Sequence, residues 1–153
     1  MSINFKKVNN ENYKDILNLR VASGQENFIE TTAQCLKEAE ELSLWNPVGI
    51  YDDEKLVGFA MYGLFQDEGN DGRLWLDRFL IDKKYQGKGY GKKSLDLIIK
   101  KISLEFNKDE IFLSIYEENN LAVELYKRIG FRFNGELDIN GEKVMILKIY
   151  RKK

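Results

Sequence analysis

Between the apolar stretch LDRFLID and an amphipathic run stands Gln86-Gly87-Lys88-Gly89-Tyr90-Gly91-Lys92-Lys93, with three glycines on alternate positions among lysines. Glycine at a strand-to-helix junction lets backbone N–H groups point into one concavity, and the helix start adds the positive end of its dipole. The chemistry on offer is anion binding, and a phosphate is the natural ligand. Lys88, Lys92 and Lys93 add positive charge there, although exposed lysines at a helix start are most often plain surface. Two common nucleotide loops fail on spacing. A G-x-x-x-x-G-K-[ST] loop would need glycine where Lys92 or Ser94 stands, and a G-x-G-x-x-G fingerprint would need its third glycine at Lys92.

Other reactive residue types are scarce. The 153-residue chain has no histidine, which removes the commonest general base and metal ligand, and a single cysteine, Cys35, which excludes an internal disulfide. No metal is expected, and Cys35 reads as a small buried helix residue. A net charge of −1 gives no clustered basic excess for nucleic acid. No apolar run approaches the ~20 residues that span a bilayer, and MSINFKKVNNENYKD contains no apolar segment that would signal export. These readings predict a cytoplasmic protein with a small-molecule ligand, bound to neither membrane nor nucleic acid.

The elements that must position the loop follow from periodicity. INFKKV reads as a strand, NENYKDILNLRVA as a helix opened by an Asn cap, and ETTAQCLKEAEELSL as a helix with Ala33, Leu36, Ala39 and Leu42 on one face, stopped before Pro47. VGIYDDEKLVGFAMYGLF is a hairpin around Asp52-Asp53-Glu54, and RLWLDRFLID is the next strand. Leu95, Ile98, Ile99, Ile102 and Phe106 share one face of a helix after the glycine loop. EIFLSIY is a strand whose strand-helix-strand connection predicts parallel pairing. NNLAVELYKRIG is a helix capped by Asn119 or Asn120 and ended by Gly130, and two strands around Asn140-Gly141 close the chain. With no repeat or linker to divide it, the chain is expected to form one domain over residues 1–153. The fold class expected is α/β (α+β): a mixed, mostly antiparallel central sheet with helices on both faces.

The loop fits Q-x-x-G-x-G at Gln86, Gly89 and Gly91, and SIYEENNLAVELYKRIGFRFNGE fits N-x-x-A-x-x-L-Y-x-x-x-G-F. Together with the order of elements from Ile3 to about Ile149, these motifs resemble the GNAT superfamily of N-acetyltransferases. GQENFIE, VGFAMYGLF, WLDRFLID and NGEKVMILK look like its bacterial diamine (spermine/spermidine) N-acetyltransferases of the Blt type. The resemblance implies acetyl-CoA as co-substrate, with backbone groups of Phe79, Leu80 and Ile81 beside the pantetheine arm and Gln86, Gly87, Lys88, Gly89, Tyr90, Gly91 and Lys92 around the pyrophosphate. Asn119 and Ala122 would lie beside the coenzyme, Asn119 doubling as a helix cap. Tyr126, at the tyrosine of the second motif, would protonate the departing thiolate, while backbone N–H near Leu80 steadies the oxyanion. Without the resemblance, Tyr126 reads as core, because it shares a helix face with Ala122, Leu125 and Ile129. A homodimer is implied by resemblance alone.

The acceptor raises a question of magnitude. A primary alkylamine has a pKa of ~10.4, so at pH 7 about one molecule in a few thousand is neutral, a cost of ~4–5 kcal/mol before attack. A carboxylate, acting through water, must take the proton where histidine is absent. Asp77 stands where related polyamine acetyltransferases carry an acid, and period-2 alternation puts it on the face of Phe79 and Ile81. A pairing of Asp77 with Arg73 or Arg78 is the competing reading. Gln25, Glu26, Phe28 and Glu30 fall where the superfamily borders its acceptor pocket, and acids with an aromatic ring suit an alkylammonium. Glu26 and Glu30 read equally well as cap and first-turn acids. The activity expected is acetyl transfer from acetyl-CoA to a polyamine by direct attack. A protein or peptide N-acetyltransferase and a non-catalytic acyl-CoA-binding module are the alternatives.

Overall fold

The computed structural model describes residues 1–20, 32–69 and 71–149. Seven strands form one sheet: β1 (Ile3–Lys7), β2 (Asn46–Asp52), β3 (Lys55–Phe65), β4 (Arg73–Ile81), β5 (Glu110–Ile115), β6 (Arg132–Leu137) and β7 (Lys143–Lys148). Their spatial order is β1-β2-β3-β4-β5-β7-β6. Every neighbouring pair is antiparallel except β4 and β5, which are joined by the long crossover helix α3 (Tyr90–Phe106), numbered after the two short helices below. A parallel pair requires such a crossover, because a tight turn can only return the chain antiparallel.

β3 alternates its side chains between two cores and is buried from Val57 to Gly63. Ala60 and Tyr62 join Leu74 and Leu76 of β4 under Leu95, Ile98, Ile99 and Ile102 of α3 and Val123 of α4 (Asn120–Ile129). Phe59 and Met61 face the other way with Leu80, against Ile16 of α1 (Tyr13–Leu17) and Cys35 and Leu36 of α2 (Thr32–Glu41). Helices therefore cover both faces. Fully burying one such aliphatic side chain is worth ~1.5–3 kcal/mol, so the three fully buried α3 residues Leu95, Ile98 and Ile102 hold that helix, and the loop before it, firmly on the sheet.

Several expectations need correction. The first helix is a single short piece, Tyr13–Leu17, and its opening is held by Asn9, whose Oδ1 accepts from the amides of Glu11 and Asn12, rather than by a side-chain cap from Asn12. α2 buries Thr32, Cys35 and Leu36 while Ala33 and Leu42 are exposed, so its inner face is rotated from the one that small apolar residues suggested. Asn119 occupies the N-cap position of α4 without a side-chain cap bond. Gly130 does end α4, with φ of +124° and its amide donating to the carbonyls of Tyr126 and Lys127.

Candidate active site

The site is made by a defect in the sheet. In the β3–β4 ladder Met61 faces Arg78 and Tyr62 faces Leu76, which leaves Asp77 as an extra residue in a β-bulge. The bulge reverses parity: before it Leu74 and Leu76 point at α3, after it Phe79 and Ile81 do. Beyond it β4 leaves β5, to which it is joined at the single Cα pair Trp75–Phe112. β5 stays paired with β7 along its whole length. A bulge bends and twists its strand in this way, and the outer backbone edge of Phe79–Ile81 is consequently without a partner strand among the described residues.

Two cavities fill the opened gap. One, of about 100 Å³, is lined by Leu76, Asp77, Arg78 and Phe79 of β4, Leu113, Ser114 and Ile115 of β5, Asn119, Ala122 and Tyr126 around α4, and Glu142 of the β6–β7 hairpin. The other, of about 230 Å³, runs from Phe79, Leu80 and Ile81 past Asn119, Leu121, Ala122, Leu125 and Tyr126 to Gln86, Gly87 and Gly91. Phe79, Asn119, Ala122 and Tyr126 line both. The gap is thus a continuous cleft with the phenol at its junction.

At the far end of the larger cavity the glycine loop has the geometry of an anion cradle. Gly87 and Gly89 have φ of +76° and +87°, and a Cβ added at either would meet no atom within 4 Å, so the space above them is open. Gly89 is the N-cap of α3 and has no side chain to satisfy the first-turn amides, which leaves them for a ligand. Gln86 closes the loop onto the strand, Nε2 donating to the Ile81 carbonyl at 2.9 Å. A pyrophosphate fits this arrangement, and an extended amide-bearing arm fits the unpaired edge of β4. Not all loop residues face the ligand space: Tyr90 is 7% exposed, its ring edge-on to Tyr85 and its hydroxyl donating to Asp52 at 2.6 Å. Its backbone alone belongs to the cradle. Lys88, Gly89 and Lys92 are exposed on the rim and do not line the cavity wall.

Tyr126 is half-buried, edge-on to Phe131 at 5.6 Å between ring centroids. Burial pushes its phenol up to about 12, against the opposing pull of the Arg78 charge. The group is therefore a neutral O–H at any physiological pH, able to donate a proton and unable to accept one. Asp77 lies in the same cavity as Tyr126, but it is placed there by the bulge, since strict alternation does not survive it. Arg73 is committed elsewhere, in a bidentate pair with Glu136 at 2.7 and 2.8 Å. Glu142 is a second carboxylate in this cavity, accepting from Ser114 Oγ at 3.3 Å. Neither it nor Arg78 was expected in the site: Glu142 arrives from a distant hairpin, and Arg78 reads in the sequence only as a possible partner of Asp77. Leu121 and Leu125 were also missed, although their spacing around Ala122 on one helix face signals them. Gln25, Glu26, Phe28 and Glu30 lie outside the described residues.

A sheet split at a bulge, a glycine cradle on the crossover helix and a phenol where the two cavities meet define an acyl-CoA-type transferase scaffold. The chain matches the Acetyltransferase (GNAT) family over residues 12–131 and belongs to that family. It is 53% identical over 152 residues to the probable spermine N(1)-acetyltransferase of Bacillus subtilis subsp. natto (strain BEST195), covering 97% of this chain and 100% of that one. With the spermine/spermidine N(1)-acetyltransferase of Bacillus subtilis (strain 168) it shares 52% identity over the same lengths. Among solved structures it resembles spermidine N-acetyltransferase from Vibrio cholerae in complex with CoA and spermine, with a TM-score of 0.73 and 18% identity over 96% of this chain and 95% of that one. The two motifs had pointed to the same family.

Proposed function

We propose that the protein transfers the acetyl group of acetyl-CoA to a primary amine of a polyamine by direct attack. The observation that carries the reading is the cleft: a cavity ending in an anion cradle meets, at Tyr126, a cavity walled by the carboxylates Asp77 and Glu142. An anionic coenzyme suits one arm and an alkylammonium suits the other. Identity above half to two relatives named for spermine supports the acceptor class.

In this reading the amides at the start of α3 hold the pyrophosphate, and the free edge of Phe79–Ile81 aligns the pantetheine arm. Asp77 takes a proton from the ammonium, through water where the distance requires it, and the amine lone pair forms the new C–N bond. As the C–S bond breaks, its electron pair goes to sulfur and Tyr126 supplies the proton that makes the free thiol. A positioned acid or base contributes ~10²–10⁴-fold. A cytoplasmic homodimer completes the proposal, and sedimentation at twice the 17.9 kDa chain mass is its expected result.

The test is release of CoA thiol by the purified protein with acetyl-CoA and, separately, spermine, spermidine, putrescine, a lysine-containing peptide or no acceptor. Saturable release with polyamines supports the proposal. Release with the peptide alone makes this a protein N-acetyltransferase, and acetyl-CoA binding without release makes it a binding module.

A further inference from the structure

Arg78 is out of place by ordinary rules. It sits one residue past Asp77 at the bulge, opposite Met61, and so on the face of the sheet that carries α1 and α2. Only 7% of it is exposed, and its Nε has no hydrogen-bond partner among the described residues. A guanidinium is charged at every accessible pH, and a buried charge with an unsatisfied N–H is costly where an apolar residue of similar volume would not be. Such a group in a native fold calls for a functional explanation.

Its position supplies one. β4 and β5 have parted beside the bulge, and Arg78 and Tyr126 line one cavity there. An acceptor amine arrives as a cation, which a guanidinium repels, so Arg78 does not serve to recognise it. The negative charge of the reaction develops at the other end, on the sulfur that leaves and the phenol that protonates it.

We propose that Arg78 is a positioning residue that acts through Tyr126, its guanidinium stabilising the negative charge left on the phenol oxygen as the proton passes to sulfur. The inference rests on the acetyl-transfer reading above. In the step the Tyr126 O–H bond breaks, the S–H bond forms, and the phenolate is reprotonated from solvent. The direction of such help is clear: burial pushes the phenol up to about 12, above the ~8.5 of an ordinary thiol, and the Arg78 charge acts in the opposite direction. Removing one preorganised group of this kind typically costs ~10²–10³-fold in kcat.

The experiment is a double-mutant cycle on the full chain with acetyl-CoA and spermidine, using Arg78→Met, Arg78→Lys, Tyr126→Phe and the pairs. Arg78→Met is expected to lower kcat about 10²-fold with the acetyl-CoA KM within about threefold, and Arg78→Lys, which keeps the charge, to recover most of that loss. In the Tyr126→Phe background Arg78→Met should cost nothing further, because the group it serves is gone. Losses that multiply in the pair overturn the proposal, since a merely structural Arg78 would cost the same with or without the phenol. Arg78→Met turnover within threefold of the unaltered chain also overturns it while leaving the acetyl-transfer reading intact. Should Arg78→Met not fold, Arg78→Gln, which removes the charge and keeps a polar side chain, carries the same cycle. No CoA release by the unaltered chain with any amine removes the acetyl-transfer reading and this inference together.

Discussion

In the proposed mechanism Tyr126 sets the pH behaviour of the site. A phenol pushed up to about 12 is protonated throughout the working range, so kcat should show no alkaline fall from this group below about pH 12, while kcat/KM for the amine climbs toward its pKa of ~10.4. With the folded value above the unfolded value of ~10, Tyr126 contributes stability that is fully present below about pH 10 and is lost as pH rises through about 12. Tyr126→Phe should therefore lower kcat ~10²-fold or more at pH 8 and gain stability relative to the unaltered chain as pH rises past 10, which urea midpoints at pH 8 and 11 would measure. Asp77→Asn has a different signature. If Asp77 accepts the amine proton, the loss in kcat/KM should be about 10²-fold near neutrality and shrink as pH approaches 10, where the amine deprotonates unaided. A deficit that is constant with pH would mean that Asp77 only attracts the cation. The family resemblance pointed to both groups, whereas Arg78 and Glu142 carry no local pattern that separates them from surface charges.

At the scale of elements, the glycine loop and α3 act as one part. A Cβ at Gly89 meets nothing, so the cost of Gly89→Ala is the positive φ alone, about 1–2 kcal/mol. Distorting that turn misdirects the cradle amides, and the acetyl-CoA KM should rise while kcat, which the proposal places at Tyr126, changes little. Tyr90 ties the helix start to the β2–β3 turn through Asp52, whose carboxyl is held below the ordinary carboxylate range chiefly by the Tyr90 hydroxyl and next by the Ser2 amide. A depressed carboxylate contributes stability present above its unfolded value of ~3.9 and lost as pH falls through the folded value. Tyr90→Phe should flatten the acid-side loss of stability between pH 5 and pH 3 and raise the acetyl-CoA KM. The loop itself was legible from spacing, because alternate glycines have few other uses at a strand-to-helix junction. The Tyr90–Asp52 tether was not, since it joins residues 38 positions apart. Asn119 stands at the expected N-cap position yet makes no side-chain cap bond and lines both cavities, a choice between capping and facing a cleft that only tertiary structure decides.

For the whole molecule, turn chemistry and periodicity reached the order of the elements, the parallel β4–β5 pair and the layers, since each rests on local rules. The insertion of β7 between β5 and β6 and the split between β4 and β5 are consequences of the assembled sheet. The split depends on a one-residue bulge that alternation cannot reveal, because LWLDRFLI keeps apolar residues on both sides of it. Yet the bulge makes the site: with Met61 and Tyr62 paired regularly, β4 would lie along β5 and the two cavities would close. The cleft is proposed to join an acetylated coenzyme to a polyamine, and competition in one vessel decides whether it does. Spermidine and a lysine-containing peptide at equal concentration would share limiting acetyl-CoA, with products resolved by mass. Acetylspermidine in large excess is the expected result. Acetylated peptide as the dominant product would contradict it.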